Sequence, residues 1–523
     1  MSSVPSVQPN AKRLLWAGSL GIFAAGMGAA VRGGILAGWG SEFDFSATQL
    51  GAIVGAGFTG FCFGIVIGGL ICDRIGYGRL IAVAFVLHVL SACVTLPAAG
   101  AGSYTALYCG TLIFGCANGT LEAVANPLVA TLFPQNRPHY LNILHASWPA
   151  GLVCGGVVGW VLGDRLHLGW RVQLATYLVP TVIYGLLFWR QHMPKSEASR
   201  RGLRLGEMLK DVGILGTLIV AALIGLFLKD ALNLPASYVY AVSGSLLIIV
   251  AVITRGSIGS WLLFVLFVTQ ALVGTVELGT DSWIQNITGN LLTSEQGKIL
   301  FVATSATMFA LRFTVSFIER NLKLSPVGLL LGCALLACLG LHLTSSIVSF
   351  GGALIALILY AAGKAFFWPT MLGITSDRFP RTGAIAISIM SGIGMISAGL
   401  IGTPGLGYAK DRFAGEALQA DAVLYAEYRA QQPSQFLLFR PAYGLDGHKL
   451  GQVQAHMADA RAPHALLTQP SAPERAVYSA SVTGDRKTLW VDAFIPAAMA
   501  AIYLLLLIYF KLIGGYRAMH IQS

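Results

Sequence analysis

Long unbroken apolar runs constrain this chain more than any other feature. Crossing about 30 Å of hydrocarbon takes about 20 predominantly apolar residues in a helix. Runs of that order occur near 14–38, 47–71, 80–98, 104–132, 140–163 and 170–190. A second set lies near 261–284, 298–318, 325–344, 347–373, 382–408 and 491–512, and two more runs fall between the sets, near 213–232 and 237–254. The bilayer core has no water to satisfy a backbone, so each run must satisfy its own as a helix. The expected fold is an all-α integral membrane protein of about fourteen transmembrane helices.

Composition agrees. Only 11% of the residues are charged and 55% are hydrophobic, where a soluble domain carries about 25% charged residues. The eight cysteines lie in or beside apolar runs without metal-ligand spacing, so they are read as packing residues; no metal and no cofactor are expected. Residues 1–13 are polar and end in Lys12 and Arg13. The run that follows is too long for a cleaved signal peptide and is read as a span.

The connections alternate in charge. One side carries Arg74 and Arg79, Arg137, the group Arg190, Lys195, Arg200, Arg201 and Arg204, then Arg255, Arg320, Lys323, Arg378, Arg381, Lys511 and Arg517. The other offers Glu42 and Asp44 and few cations beyond Arg165 and Lys229. The positive-inside rule then places both termini in the cytoplasm of a multi-pass protein of the plasma (inner) membrane. The net charge of +11 is a topology signal, and no nucleic-acid partner is expected.

The two sets of six runs read as copies. A shift of about 246 positions lays Asp73-Arg74 on Glu319-Arg320, Phe133-Pro134 on Phe379-Pro380 and Asp164-Arg165 near Asp411-Arg412, and a shift of about 245 lays Arg32 on Glu277. Parallel repeats of six spans are what two-halved transporters use, with the solute site between the halves near mid-membrane. The expected domains are an N-terminal six-helix bundle, 1–190; a basic linker with two extra helices, 191–260; and a C-terminal bundle, 261–523, with a polar external loop at 411–490. A helix-like piece is expected within that loop from Glu416 to Gln431.

Ionisable groups inside the apolar runs are the candidate functional residues, because each costs roughly 2.5 to 3.5 kcal/mol on insertion scales and so faces protein or water. Glu122 and Asn126 are four apart and share a helix face. Asn142 and His145 lie near the start of the next run. The C-terminal set holds Glu277 and Asp281, also four apart, and Lys364 followed by Phe366, Phe367 and Trp368, with Pro369 expected to break that helix. Trp368 is a candidate for stacking on the apolar face of a sugar ring. Lys364 is expected to pair with Glu277 or Asp281, Glu122 with Arg32 or His145, and Arg312 to snorkel toward the nearer membrane surface. Gly60, Gly64 and Gly68, and Gly151, Gly155, Gly159 and Gly163, recur every four residues as close-contact faces. Gly399, Gly402, Gly405 and Gly407 with Pro404 mark a bendable helix.

The segment Gly69-Leu70-Ile71-Cys72-Asp73-Arg74-Ile75-Gly76-Tyr77-Gly78-Arg79 resembles the loop signature of the major facilitator superfamily, although Tyr77 and Gly78 stand where basic residues are common. The resemblance implies two six-helix bundles related by a pseudo-two-fold. It also implies a gating role for Asp73, Arg74 and Arg79 and for the repeat-related Glu319 and Arg320. Asp73 would latch onto the start of the run after Arg381, where a helix N-terminus is partially positive.

Within that superfamily, Glu122, Ala125, Asn126 and Pro127, followed by Phe133-Pro134 and Asn142, are similar to the fucose:proton symporter group. That similarity implies a protonatable or sugar-contacting Glu122, with Asn126 and Asn142 contacting hydroxyls. Where that group carries an acidic residue in its first helix, this chain has Arg32, which leaves open a site for an anionic solute. The expected function is proton-coupled import of a sugar-like solute by alternating access, by a monomer whose partners are that solute, protons and the bilayer. An anionic organic solute and a non-transporting sensor are the alternatives; a membrane enzyme using Glu122 and His145 as an acid/base pair lacks a nucleophile or metal constellation.

Overall fold

The computed structural model describes residues 10–43, 47–100, 103–194, 202, 204–232, 234–322, 324–460 and 469–519. Asp44, Lys195, Arg200, Arg201 and Lys323 lie outside these, and the side chains of Asp164, Glu319 and Arg320 lie outside the described ones. Among the described residues, eleven helices are long and apolar enough to cross a membrane. Three more, one shorter and two more polar, bring the spans to fourteen.

The first bundle is α1 (Ala11–Ile35), α2 (Ile53–Ile75), α3 (Tyr77–Thr95), α4 (Ser103–Leu132), α5 (Arg137–Gly163) and α6 (Trp170–Phe188). The extra pair is α7 (Gly213–Lys229) and α8 (Ala236–Ile253). The second bundle is α9 (Trp261–Leu291), α10 (Ser294–Arg312), α11 (Pro326–Ser345), α12 (Phe350–Arg378), α13 (Ile385–Leu418) and α14 (Ala472–Leu512). The repeat shows in where helices stop: α4 ends one residue before Phe133-Pro134 and α12 one residue before Phe379-Pro380.

Glycine lets the helices within each bundle approach backbone to backbone. A Cβ on Gly60 or Gly64 of α2 would lie 2.1 Å or 2.3 Å from the carbonyl oxygens of Leu112 and Cys116 in α4. Gly151 and Gly155 of α5 abut Phe23 and Met27 of α1 in the same way, whereas a Cβ on Gly159 would meet nothing within 4 Å. In the second bundle Gly274 of α9 meets Gly394 of α13, and Gly279 meets Gly402. Such contacts replace the hydrophobic driving force, which is absent between helices in lipid.

Both described ends lie on one side. The Asn10 side chain donates to the carbonyl of His192 at 2.9 Å, and the Met519 amide donates to the carbonyl of Asp377 at 2.7 Å, beside the ends of α6 and α12. This is called the terminal side below.

On the opposite side the 411–490 segment is built differently from the expected loop. Helix α13 runs on to Leu418, and the helix expected from Glu416 to Gln431 is interrupted at 419–421, where the Asp421 side chain caps a separate helix, Ala422–Tyr428. The carboxylate takes the amides of Val423 and Leu424, so the chain restarts there instead of continuing. The last helix begins at Ala472, well before the apolar run near 491, because Ser471 and Glu474 form a capping box. Ala414, Leu418, Leu445, Val453, Val477 and Ala480 form a small core of its own. Its polar anchors belong to the second bundle. Lys410 bonds Asp485 and Asn286, both at 2.7 Å, and Asn290 bonds Asp485.

Candidate substrate and coupling site

Helices α4 and α5 bring the first three candidates together. Asn126 donates through Nδ2 to Glu122 Oε2 at 3.4 Å, one turn back on the same face of α4. His145 Nε2 meets Asn126 Oδ1 at 2.8 Å; the oxygen only accepts, so Nε2 carries the proton. All three side chains are buried.

Across the contact between bundles, Glu277 sits on a π-helical turn of α9, Thr275–Gly279, a local widening that re-aims its carboxylate. Arg312 Nη2 donates to its Oε1 at 3.1 Å. Arg312 also donates through Nε to the Ala365 carbonyl at 2.8 Å and through Nη1 to the His145 carbonyl in the first bundle. The expectation that Arg312 snorkels is therefore wrong. Arg312 is 1% exposed, because three acceptors inside the protein replace the water it would otherwise seek. Glu122 is thus joined to Arg312 through Asn126 and His145, whose carbonyl Arg312 holds.

Arg32 does not pair with Glu122. It turns into the first bundle, stacks over Phe114 at 3.7 Å, and donates to Ser91 Oγ at 3.1 Å and to the Gly28 carbonyl at 3.2 Å. Nearby, His88 bonds Asn118 at 2.7 Å and Tyr184 at 2.8 Å. No carboxylate pairs with Arg32 among the described residues; its charge rests on aromatic faces.

Lys364 takes Asp281 as its partner, with Nζ also 4.8 Å from the Tyr360 ring. Helix α12 breaks at Ala365 and Phe366, ahead of Pro369. Beyond the break, Trp368 is buried, and its ring lies beside Gly394 and close to Gln270. Asn142 donates to Thr370 Oγ1 of α12 at 3.2 Å, joining the bundles again. Several buried polar atoms of this region have no protein partner among the described residues: both side-chain atoms of Gln270, Asn142 Oδ1 and Glu277 Oε2.

Toward the terminal side the bundles are shut. Asp73 Oδ2 accepts the Ala384 amide at 3.0 Å, at the start of α13. Arg137 at the start of α5 pairs with Asp377 at 3.5 Å and donates to the Ser376 carbonyl at 2.7 Å; Tyr516 Oη donates to the same Asp377 at 2.8 Å. Arg74 and Arg79 are exposed. The sequence reasoning missed Arg312, Asp377 and Gln270. Asp377 had a usable signal, an acid two residues before Phe379-Pro380 at the membrane surface; the other two are defined only by which helices meet.

Two bundles of six helices with an ionic cluster where they touch define a class of membrane protein rather than one activity. The family model of the Major Facilitator Superfamily matches residues 18–403, so the chain belongs to that superfamily. Solved structures with the same fold include the proton:xylose symporter XylE bound to 6-bromo-6-deoxy-D-glucose, with 13% identity, TM-score 0.60 and coverage of 95% of each chain. Another is the transporter FucP in its outward conformation, with 17% identity, TM-score 0.55, and 76% of this chain and 91% of that one covered.

Among curated relatives, Myo-inositol transporter 1 of Candida albicans is 28% identical over 28% of this chain and 24% of its own length. The L-fucose-proton symporter of Escherichia coli is 29% identical over 22% and 27%. The Cis,cis-muconate transport protein of Acinetobacter baylyi is 26% identical over 28% and 35%. The chain thus spans between a quarter and about a third of these relatives' lengths.

Proposed function

We propose that the protein is a secondary transporter that carries a small polar, sugar-like solute with protons by alternating access, from the outside inward. The single observation that carries this reading is the cluster where the bundles meet. The guanidinium of Arg312 pairs with the buried Glu277 of the second bundle and holds the carbonyl of His145, which is bonded through Asn126 to the buried Glu122 of the first, with unpartnered polar atoms of Glu277, Asn142 and Gln270 in the same region. Two carboxylates and one cation leave one negative charge, which a single proton neutralises. Buried polar atoms that lack a protein partner are costly unless something else bonds them, and a hydroxylated solute would.

The roles proposed are proton binding and coupling by Glu122 and Glu277, solute contact by Asn126, Asn142, His145 and Trp368, and ionic support by Asp281 and Lys364. Asp73, with Arg74, Arg79, Glu319 and Arg320, is proposed to gate the terminal side, which is taken as cytoplasmic in the plasma (inner) membrane. The boundaries 1–190, 191–260 and 261–523 are proposed as the working domains of a monomer. The muconate relative favours an anionic solute instead. Against that reading, Arg32, the residue that motivated it, points into the first bundle and away from Glu277 and Arg312.

Uptake into proteoliposomes, with and without an inward proton gradient, tests the reading. Sugars, polyols and uronic acids are first ranked by the shift each gives in thermal unfolding. Gradient-dependent accumulation of a stabilising neutral solute is expected. Binding without flux would identify a sensor.

A further inference from the structure

Two of the carbonyls that Arg312 holds share an origin. In an α-helix the amide of residue i bonds the carbonyl of residue i−4, and proline has no amide hydrogen. Pro149 therefore frees the carbonyl of His145 in α5, and Pro369 frees that of Ala365 in α12. Arg312 donates to both, one in each bundle, and its remaining arm takes Glu277. Buried in protein, each freed carbonyl needs a donor. One side chain supplies both donors.

We propose that Arg312 is a positioning residue of the transport cycle: a clamp closed on two proline-released carbonyls, whose release of His145 accompanies the parting of the bundles on the terminal side. The clamp spans the moving contact, since α10 and α12 belong to the second bundle and α5 to the first. Its bond to His145 must break or lengthen when the bundles rock, whereas its bonds to Ala365 and Glu277 travel with it. The same guanidinium orients Glu277, so the charge state of that carboxylate and the grip on the first bundle act through one group. This rests on the transporter reading above.

Substitution with alanine restores the missing amide and lets each helix reclaim its own carbonyl, in competition with Arg312. The test uses the full-length protein in proteoliposomes with a cysteine at Ser388, a residue 1% exposed in α13 and close against Gly69 of α2. Its alkylation by a maleimide is followed peptide by peptide, so the native cysteines stay in place.

Pro149→Ala, Pro369→Ala and Arg312→Lys are each expected to raise labelling at position 388 about fivefold, the low end of ordinary coupling. Pro149→Ala combined with Arg312→Lys is expected to label no faster than the faster single variant, because both remove one interaction. Unchanged labelling in Pro149→Ala, or effects that multiply in the double variant, would overturn the clamp. A loss of helix packing alone would act independently of residue 312, which the double variant reads. Wild-type uptake is measured in the same vesicles, so failure of the transporter reading shows as absent flux and is distinguishable from failure of the clamp.

Discussion

Asp73 closes the first bundle onto the second by accepting the backbone amide of Ala384, 311 residues away, at 3.0 Å. The acceptor is a carboxylate and the donor begins a helix, so charge and dipole reinforce each other, worth roughly 0.3 to 1 kcal/mol when exposed and up to about 2 kcal/mol when partly buried. Asp73→Asn keeps the hydrogen bond and loses the charge. Hydrogen exchange at Ala384 should accelerate by up to about thirtyfold, while the ranking of solutes in a competition assay stays as in the wild type. An altered ranking would show that Asp73 shapes the solute site and is more than a latch.

Glu122→Gln preserves the bond from Asn126 but removes the protonatable group. Proton-driven accumulation should be lost, whereas exchange of labelled for unlabelled solute across the same membrane continues, and the thermal midpoint moves by only a few degrees. Accumulation at the wild-type level would take Glu122 out of the coupling role and leave Glu277 to fill it.

Lys364 is buried and Asp281 half-buried, with exposures of 2% and 20% for their side chains. Removing Asp281 strands a buried ammonium, which for a buried pair costs up to roughly 3 to 5 kcal/mol, and removing Lys364 leaves a half-buried carboxylate at a smaller cost. Lys364→Met and Asp281→Leu should each depress the thermal midpoint, the latter more strongly, and the double variant should recover most of the loss. A double variant as unstable as the sum of the singles would mean that the pair does not interact in the folded protein.

At Gly60 a new side chain has nowhere to go, since its Cβ would stand 2.1 Å from the Leu112 carbonyl oxygen. Gly60→Val should destabilise by about 1 to 3 kcal/mol or more, the range for overpacking. Gly159→Ala, facing open space, should be near neutral. Equal midpoints for the two variants in detergent would show that α2 and α4 do not pack as described.

What could be read from the sequence was whatever depends on one helix at a time. Span length, the paired Phe133-Pro134 and Phe379-Pro380 stops, the shared face of Glu122 and Asn126, and the break near Pro369 all follow from local rules. Lys364 with Asp281 was one of two pairings that the runs allowed. Arg312 was misjudged because its depth along a single helix says nothing of acceptors offered by α5, α9 and α12. Arg32 was paired wrongly for the same reason: its direction is set by Phe114 and Ser91 on neighbouring helices. The capping residue Ser471 was visible, yet polar composition disguised the helix it starts as loop.

Helix α14 reaches from Ala472 to Leu512 with one turn at Ala493, so the folded knob outside the membrane and the last span are nearly one rod. Lys410, Asn286 and Asn290 rivet that knob to α13 and α9. An antibody fragment raised against the knob would travel with one bundle only. It would serve as a fiducial for imaging without arresting the proposed rocking motion, unless it also touched the other bundle.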